Sequence, residues 1–183
     1  MASYDEFAYF ADNAAEFDIR YVSDPVVRRE TVTMDDGRVM SALVWGDAPA
    51  EAVLIHGGAQ NAHTWDTVCL ALNRPVVAID MPGHGHSGPP AAGAADVERN
   101  AADIAAMISE LAPNANTVVG MSLGGLTTLA LSAQMPDLFS TMVLVDITPG
   151  VNQDKADHIR QFVNGPTSFP SFEDLVALSL IHI

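Results

Sequence analysis

Basic residues are scarce in this chain. Lys and Arg together number 8 against 23 Asp and Glu, giving a formal net charge of −15. Such a surface repels phosphate backbones and anionic lipid, which argues against nucleic-acid and membrane partners. Long apolar runs are also missing; none approaches the roughly 18 uncharged residues of a membrane span. The opening Met1-Ala2-Ser3-Tyr4-Asp5-Glu6 has neither the basic start nor the apolar run of a secretory signal. A single cysteine, Cys69, excludes an internal disulfide and reads as a helix-packing residue. These absences make the cytoplasm the default compartment. What the chain does have is apolar substance: 49% of its 183 residues are hydrophobic and 17% charged, enough for one domain with a real core, with or without a short appendage.

Residues 1–27 are acidic and aromatic, with Tyr4, Phe7, Phe10 and Phe17 at partly helical spacing, and read as a helical extension lying against the domain. Arg28–Thr33 and Val39–Trp45 flank Asp35-Asp36-Gly37, a strong hairpin signal. Ala52–Ile55 and Pro75–Ile79 are short apolar runs that suit strands buried on both faces, and Thr117–Gly120 and Met142–Val145 read as further strands. Helices are expected over Ala62–Leu72, Ala94–Leu111 and Leu123–Met135, the second with an apolar stripe of Val97, Ala101, Ile104, Ile108 and Leu111. Strands alternating with helices after a hairpin imply a mostly parallel sheet covered on both faces. After Pro149-Gly150 the chain turns more polar, and 151–183 reads as the start of a helical cap, with a capped helix from Ser171 onward.

Three stretches can carry chemistry. Gly120-Met121-Ser122-Leu123-Gly124 fits G-x-S-x-G between an expected strand and an expected helix. That setting exposes the serine hydroxyl at a sharp turn, above a helix N-terminus with unpaired N–H groups. The plain alternative is a serine that caps the helix. His56-Gly57-Gly58 stands at the end of a buried strand, where the glycines form either a simple turn or a close approach to a ligand. His84-Gly85-His86-Ser87 invites a metal reading, but two histidines two residues apart lack the further ligands of a zinc site.

In their order these pieces resemble the α/β-hydrolase superfamily. The resemblance rests on Leu54-Ile55-His56-Gly57-Gly58, Asp80-Met81-Pro82-Gly83-His84-Gly85-His86-Ser87, the Ser122 elbow and Val145-Asp146-Ile147-Thr148-Pro149, and it covers about residues 28–150. It implies an α/β-hydrolase fold with an N-terminal antiparallel hairpin. The implied domains are an extension over 1–27, the N-terminal part of the core over 28–150 and a cap over 151–183. It makes Ser122 the nucleophile and the Leu123 and Gly58 N–H groups the oxyanion donors. His56 then steadies its loop, and the 81–87 stretch is a structural turn in which Ser87 plays no catalytic part. Asp146 matches the [IV]-D-I-x-P of a subset of small esterases that place the acid at the end of the sixth strand. Most of the family places it after a seventh strand, and a turn-capping role for Asp146 is the alternative.

The family's base follows its acid, and only His158 and His182 follow Asp146. Neither has the expected setting, so the catalytic histidine is expected beyond residue 183 and the chain reads as an inactive, C-terminally truncated fragment. The function implied is a serine hydrolase cleaving an ester of a small molecule, with no cofactor and no metal. A serine at 122 counts against the aspartate-nucleophile dehalogenases and epoxide hydrolases. Acyl transfer, carbon–carbon cleavage, cofactor-free perhydrolysis, or a non-catalytic binding role on the same scaffold are the alternatives, since one fold hosts many functions.

Overall fold

The computed structural model describes residues 5–91, 96–147 and 170–171. Contacts divide the chain into a unit over Met1–Ile147 and a second over Thr148–Ile183, and the fold below is that of the first. The expected cap, its helix from Ser171, and both His158 and His182 lie outside the described residues, apart from Pro170 and Ser171 themselves.

Among the described residues six strands form one sheet: β1 (Val27–Thr33), β2 (Val39–Trp45), β3 (Ala52–Ile55), β4 (Val76–Asp80), β5 (Thr117–Met121) and β6 (Thr141–Val145). Their spatial order is β1-β2-β4-β3-β5-β6. Strands β3 to β6 are mutually parallel, while β2 is antiparallel to both β1 and β4. The turn residue Gly37 has φ +84° and donates its N–H to the Met34 carbonyl, closing the β1–β2 hairpin. Arg38 then forks onto both carboxylate oxygens of Asp103, binding that hairpin to the helix behind it.

The helices are α1 (Phe10–Glu16), α2 (Asp66–Leu72, entered through a 3-10 turn over Ala62–Trp65), α3 (Val97–Leu111) and α4 (Leu123–Gln134). The helix expected over Ala62–Leu72 is thus split, its first turn wound more tightly. Asp96 caps α3 by accepting from the Glu98 N–H. Successive side chains of a strand face opposite ways, so the apolar runs feed two cores. Met40, Ala42, Val53, Ile55, Val77 and Ile79 pack against Ile104, Met107 and Ile108 of α3 and Leu131 of α4. Leu43, Trp45, Leu54 and Ala78 face the other way, onto Trp65, Cys69 and the Phe10 of α1. Burial holds Cys69 as a neutral thiol by pushing its pKa up. No helix among the described residues is long and apolar enough to cross a membrane.

One close approach sets the geometry of the parallel half. A Cβ on Gly124 would overlap the carbonyl oxygens of Ile55 and His56, and one on Gly120 would overlap Thr128 Oγ1 and the Gly124 carbonyl. Glycine is required there because backbone meets backbone. Gly124→Ala should lower the unfolding free energy by about 3 kcal/mol or prevent folding, since main-chain obstacles cannot swing aside as a side chain would. Chemical denaturation measures this; a loss under about 0.5 kcal/mol would mean that α4 slides freely over the strand ends.

Candidate active site

The ends of β3, β5 and β6 deliver the marked residues to one edge, where parallel sheets place their ligands. Ser122 follows β5 directly, is exposed, and has φ +49° and ψ −115°. This is left-handed backbone, which a residue with a Cβ adopts at a cost of roughly 1–3 kcal/mol and which clusters at functional sites. Two hydrogen bonds hold it: the Ser122 N–H donates to the Val145 carbonyl at 2.9 Å, and the Leu126 N–H donates to the Ser122 carbonyl at 3.0 Å. The serine occupies the cap position of α4, yet its side chain makes no capping hydrogen bond. The plain reading of Ser122 as a helix cap therefore has no support. Leu123 opens α4, so its N–H is one of those a helix leaves without an internal partner.

The glycines after β3 face this turn. A Cβ built on Gly57 would stand 3.3 Å from the Ser122 Cβ, and one on Gly58 would stand 3.7 Å from a Leu123 side-chain carbon. Gly58 is thus on the same edge as Ser122, beside Leu123. Asp146 follows Val145, whose carbonyl accepts from the Ser122 N–H. Its backbone also has positive φ, +53°, and the residue is exposed. Ala59, at φ +60°, is a third left-handed residue on this edge. Among the described residues no imidazole hydrogen-bonds the Ser122 hydroxyl, and no group of three His, Cys, Asp or Glu could hold a metal ion.

His56 and His84 have their rings engaged elsewhere. His56 is fully buried. Its Nδ1 lies 2.7 Å from the Gly57 carbonyl and its Nε2 is 2.9 Å from the Met81 N–H. A carbonyl can only accept and an amide only donate, so Nδ1 carries the proton and the ring is neutral. Burial is the main force pushing its pKa down, to about 4. Ser87 is a turn residue as expected: its hydroxyl donates to the Asp80 carbonyl and accepts from the Ser41 N–H. The His84 ring pairs with protein backbone, accepting from the Ala59 N–H and donating to the Pro82 carbonyl.

Three features carry no obvious sequence signal. Gln60 Oε1 accepts from the Gly57 N–H at 2.8 Å. The buried Asp80 carboxylate takes the Ala62 N–H, the His86 N–H and Arg29 Nη1 at 2.7, 3.0 and 2.7 Å, joining the two loops that border the site. Arg29 in turn forks onto Glu6, which also meets His63. Hydrogen bonding from Arg29 holds the Glu6 carboxyl down at about 2, and the Asp66 carboxylate raises the His63 imidazole. Asp80 is visible in its motif, but its partners come from strands and an extension that no local pattern connects. Separately, a groove of about 680 Å³ lies at the opposite end of the strands, between 19–26 and 69–75, remote from Ser122.

The neutrality of His56 has a consequence for stability. The folded state excludes a proton that the unfolded chain binds with a pKa near 6.5, so stability is full above that value and falls as the pH drops toward about 4. The loss over this window is on the order of 3 kcal/mol. His56→Gln should be less stable at pH 7 and show a flatter acid limb between those two values. Urea titrations at stepped pH test this; an unchanged acid limb would remove His56 as its source.

The family model for the alpha/beta hydrolase fold matches residues 53–182. Esterase Rv0045c of Mycobacterium tuberculosis is 40% identical over 186 residues, an alignment covering 98% of this chain and 60% of that protein. A solved structure of that esterase superposes with a TM-score of 0.85, covering 99% of this chain and 62% of the other. The 2-(acetamidomethylene)succinate hydrolase of Mesorhizobium japonicum is 30% identical over 148 residues, 79% of this chain and 52% of that protein. The chain therefore spans between one half and about 60% of the length of these curated relatives. The family match, the six-stranded sheet and the serine elbow agree: the chain belongs to the α/β-hydrolase fold family.

Proposed function

We propose that the protein to which this chain belongs is a serine hydrolase that cleaves an ester of a small molecule through an acyl-enzyme on Ser122. The observation that carries this reading is the Ser122 turn itself. Its backbone is strained, its hydroxyl caps nothing, and Gly57 and Gly58 stand against it and its neighbour. The esterase named among the relatives supports the substrate class.

The chemistry runs in two halves. A base takes the Ser122 proton as Oγ attacks the carbonyl carbon. The carbonyl oxygen becomes an oxyanion and accepts from the N–H groups of Leu123 and Gly58. Collapse breaks the ester C–O bond; the base returns the proton to the leaving alcohol, and the acyl group stays on Ser122. Water then attacks the acyl carbon, losing its proton to the same base, and a second collapse frees the acid and restores the serine. Asp146 orients the base, a histidine, and stabilises it when it is protonated. We place that histidine outside these 183 residues, which makes the isolated chain close to inert toward esters: a serine without an adjacent acceptor is a poor nucleophile at neutral pH.

A fluorophosphonate probe and a p-nitrophenyl ester test the reading. The full-length protein should label at Ser122 and turn over the ester, Ser122→Ala should abolish both, and Asp146→Asn should cut kcat by roughly a thousandfold or more. The 183-residue chain should label and react near background. Turnover that survives Ser122→Ala rejects the serine mechanism. Robust Ser122-dependent turnover by the isolated chain would instead locate the base at His158 or His182.

A further inference from the structure

We propose that His84 is a positioning residue for acyl transfer at Ser122, fixing the oxyanion loop through the Ala59 amide; this rests on the serine-hydrolase reading above. Glycine at 58 restricts neither of its own torsions, so the direction of its N–H must be set by its neighbours. Two peptide groups flank Gly58, and each is held by a different imidazole. The Gly57 carbonyl, in the same peptide plane as the Gly58 N–H, accepts from His56 Nδ1 at 2.7 Å. On the other side, the Ala59 N–H donates to His84 Nε2 at 3.2 Å. With both planes held, the two torsions between them, φ and ψ of Gly58, are determined. In a trans peptide the N–H points away from its carbonyl, so a carbonyl turned toward His56 sends the Gly58 N–H the opposite way.

His84 is built for this acceptor role. Its Nδ1 lies 3.0 Å from the Pro82 carbonyl and must carry the proton, which leaves Nε2 bare to accept. Its ring packs against His56 with centroids 5.2 Å apart, so one clamp supports the other. Ala59 needs such a hold, because at φ +60° it occupies a conformation that alanine avoids. The two histidines come from different elements, the end of β3 and the loop after β4, so the loop is gripped from two directions. Oxyanion donors act through sub-ångström placement, and a donor freed to wander weakens the transition state more than substrate binding.

The test uses the full-length protein and four forms: unmodified, His84→Ala, His84→Phe and His84→Gln. Phenylalanine keeps the ring against His56 without an acceptor; glutamine keeps an acceptor without the ring. Expected are a drop of roughly tenfold to a hundredfold in fluorophosphonate labelling rate and kcat for the Ala and Phe variants, with KM within about twofold. The Gln variant should recover most of that loss. Hydrogen exchange in residues 57–62 should quicken in the Ala and Phe variants and stay slow in Gln. Should the Ala variant not fold, Phe against Gln carries the comparison; misfolding of both makes His84 a purely structural residue and overturns the proposal. Labelling of His84→Phe at the unmodified rate, or equal losses in Phe and Gln, also overturns it. No labelling of Ser122 in the unmodified protein rejects the serine mechanism instead, and this proposal with it.

Discussion

The candidate site depends on one contact that has no side chain in it: Gly124 of α4 lies against the carbonyl oxygens of Ile55 and His56. A helix that starts this close to the end of a neighbouring strand forces the preceding turn to be abrupt. Ser122 pays for that turn with a left-handed backbone, and its N–H is tied across to Val145. The same contact brings the Gly57-Gly58 loop beside the serine, because that loop leaves β3 one residue after the carbonyls that Gly124 touches. A methyl group at 124 would therefore spoil both halves of the site at once, by lifting the helix and separating the loop from the turn.

A second layer of support is electrostatic. Asp66, His63, Glu6, Arg29 and Asp80 form a line of hydrogen-bonded groups alternating in sign when His63 is protonated. Its last member receives the Ala62 and His86 N–H groups, so the line ends on the loops that follow β3 and β4. The extension thus does more than cover Trp45 with Phe10; through Glu6 it satisfies the outer edge of an arginine whose other edge meets Asp80 and Ser41. Alternation matters in a partly buried setting, since each desolvated charge needs a partner on both sides. His63 contributes here only while protonated: its raised pKa makes that contribution complete at low pH and lost as the pH climbs through it.

Legibility followed the range of the interactions. The hairpin at Gly37, the buried strands β3 and β4, and α3 were readable because turn chemistry and period are local. The helix over Ala62–Leu72 was readable as a helix but not as a 3-10 turn followed by α2, since that tightening goes with the Asn61 side chain accepting from the His63 N–H and with Asp80 accepting from the Ala62 N–H, a residue 18 positions away. At the site, Ser122, Leu123, Gly57 and Gly58 announced themselves by spacing and by their order along a familiar fold. Gln60, Arg29 and Glu6 did not, because each acts on a group that only the folded chain brings near.

His56 uses both ring nitrogens on backbone groups, and so does His84; His63 uses both on carboxylates. A general base needs one bare nitrogen within reach of the hydroxyl it serves and an acceptor for the other. All three rings have given those positions away to hold the scaffold, and burial makes His56 a poor proton acceptor besides. His56, His63 and His84 are therefore carpentry for the loops around this elbow. On the serine-hydrolase reading proposed above, the proton of Ser122 would go to a nitrogen that none of these three rings offers.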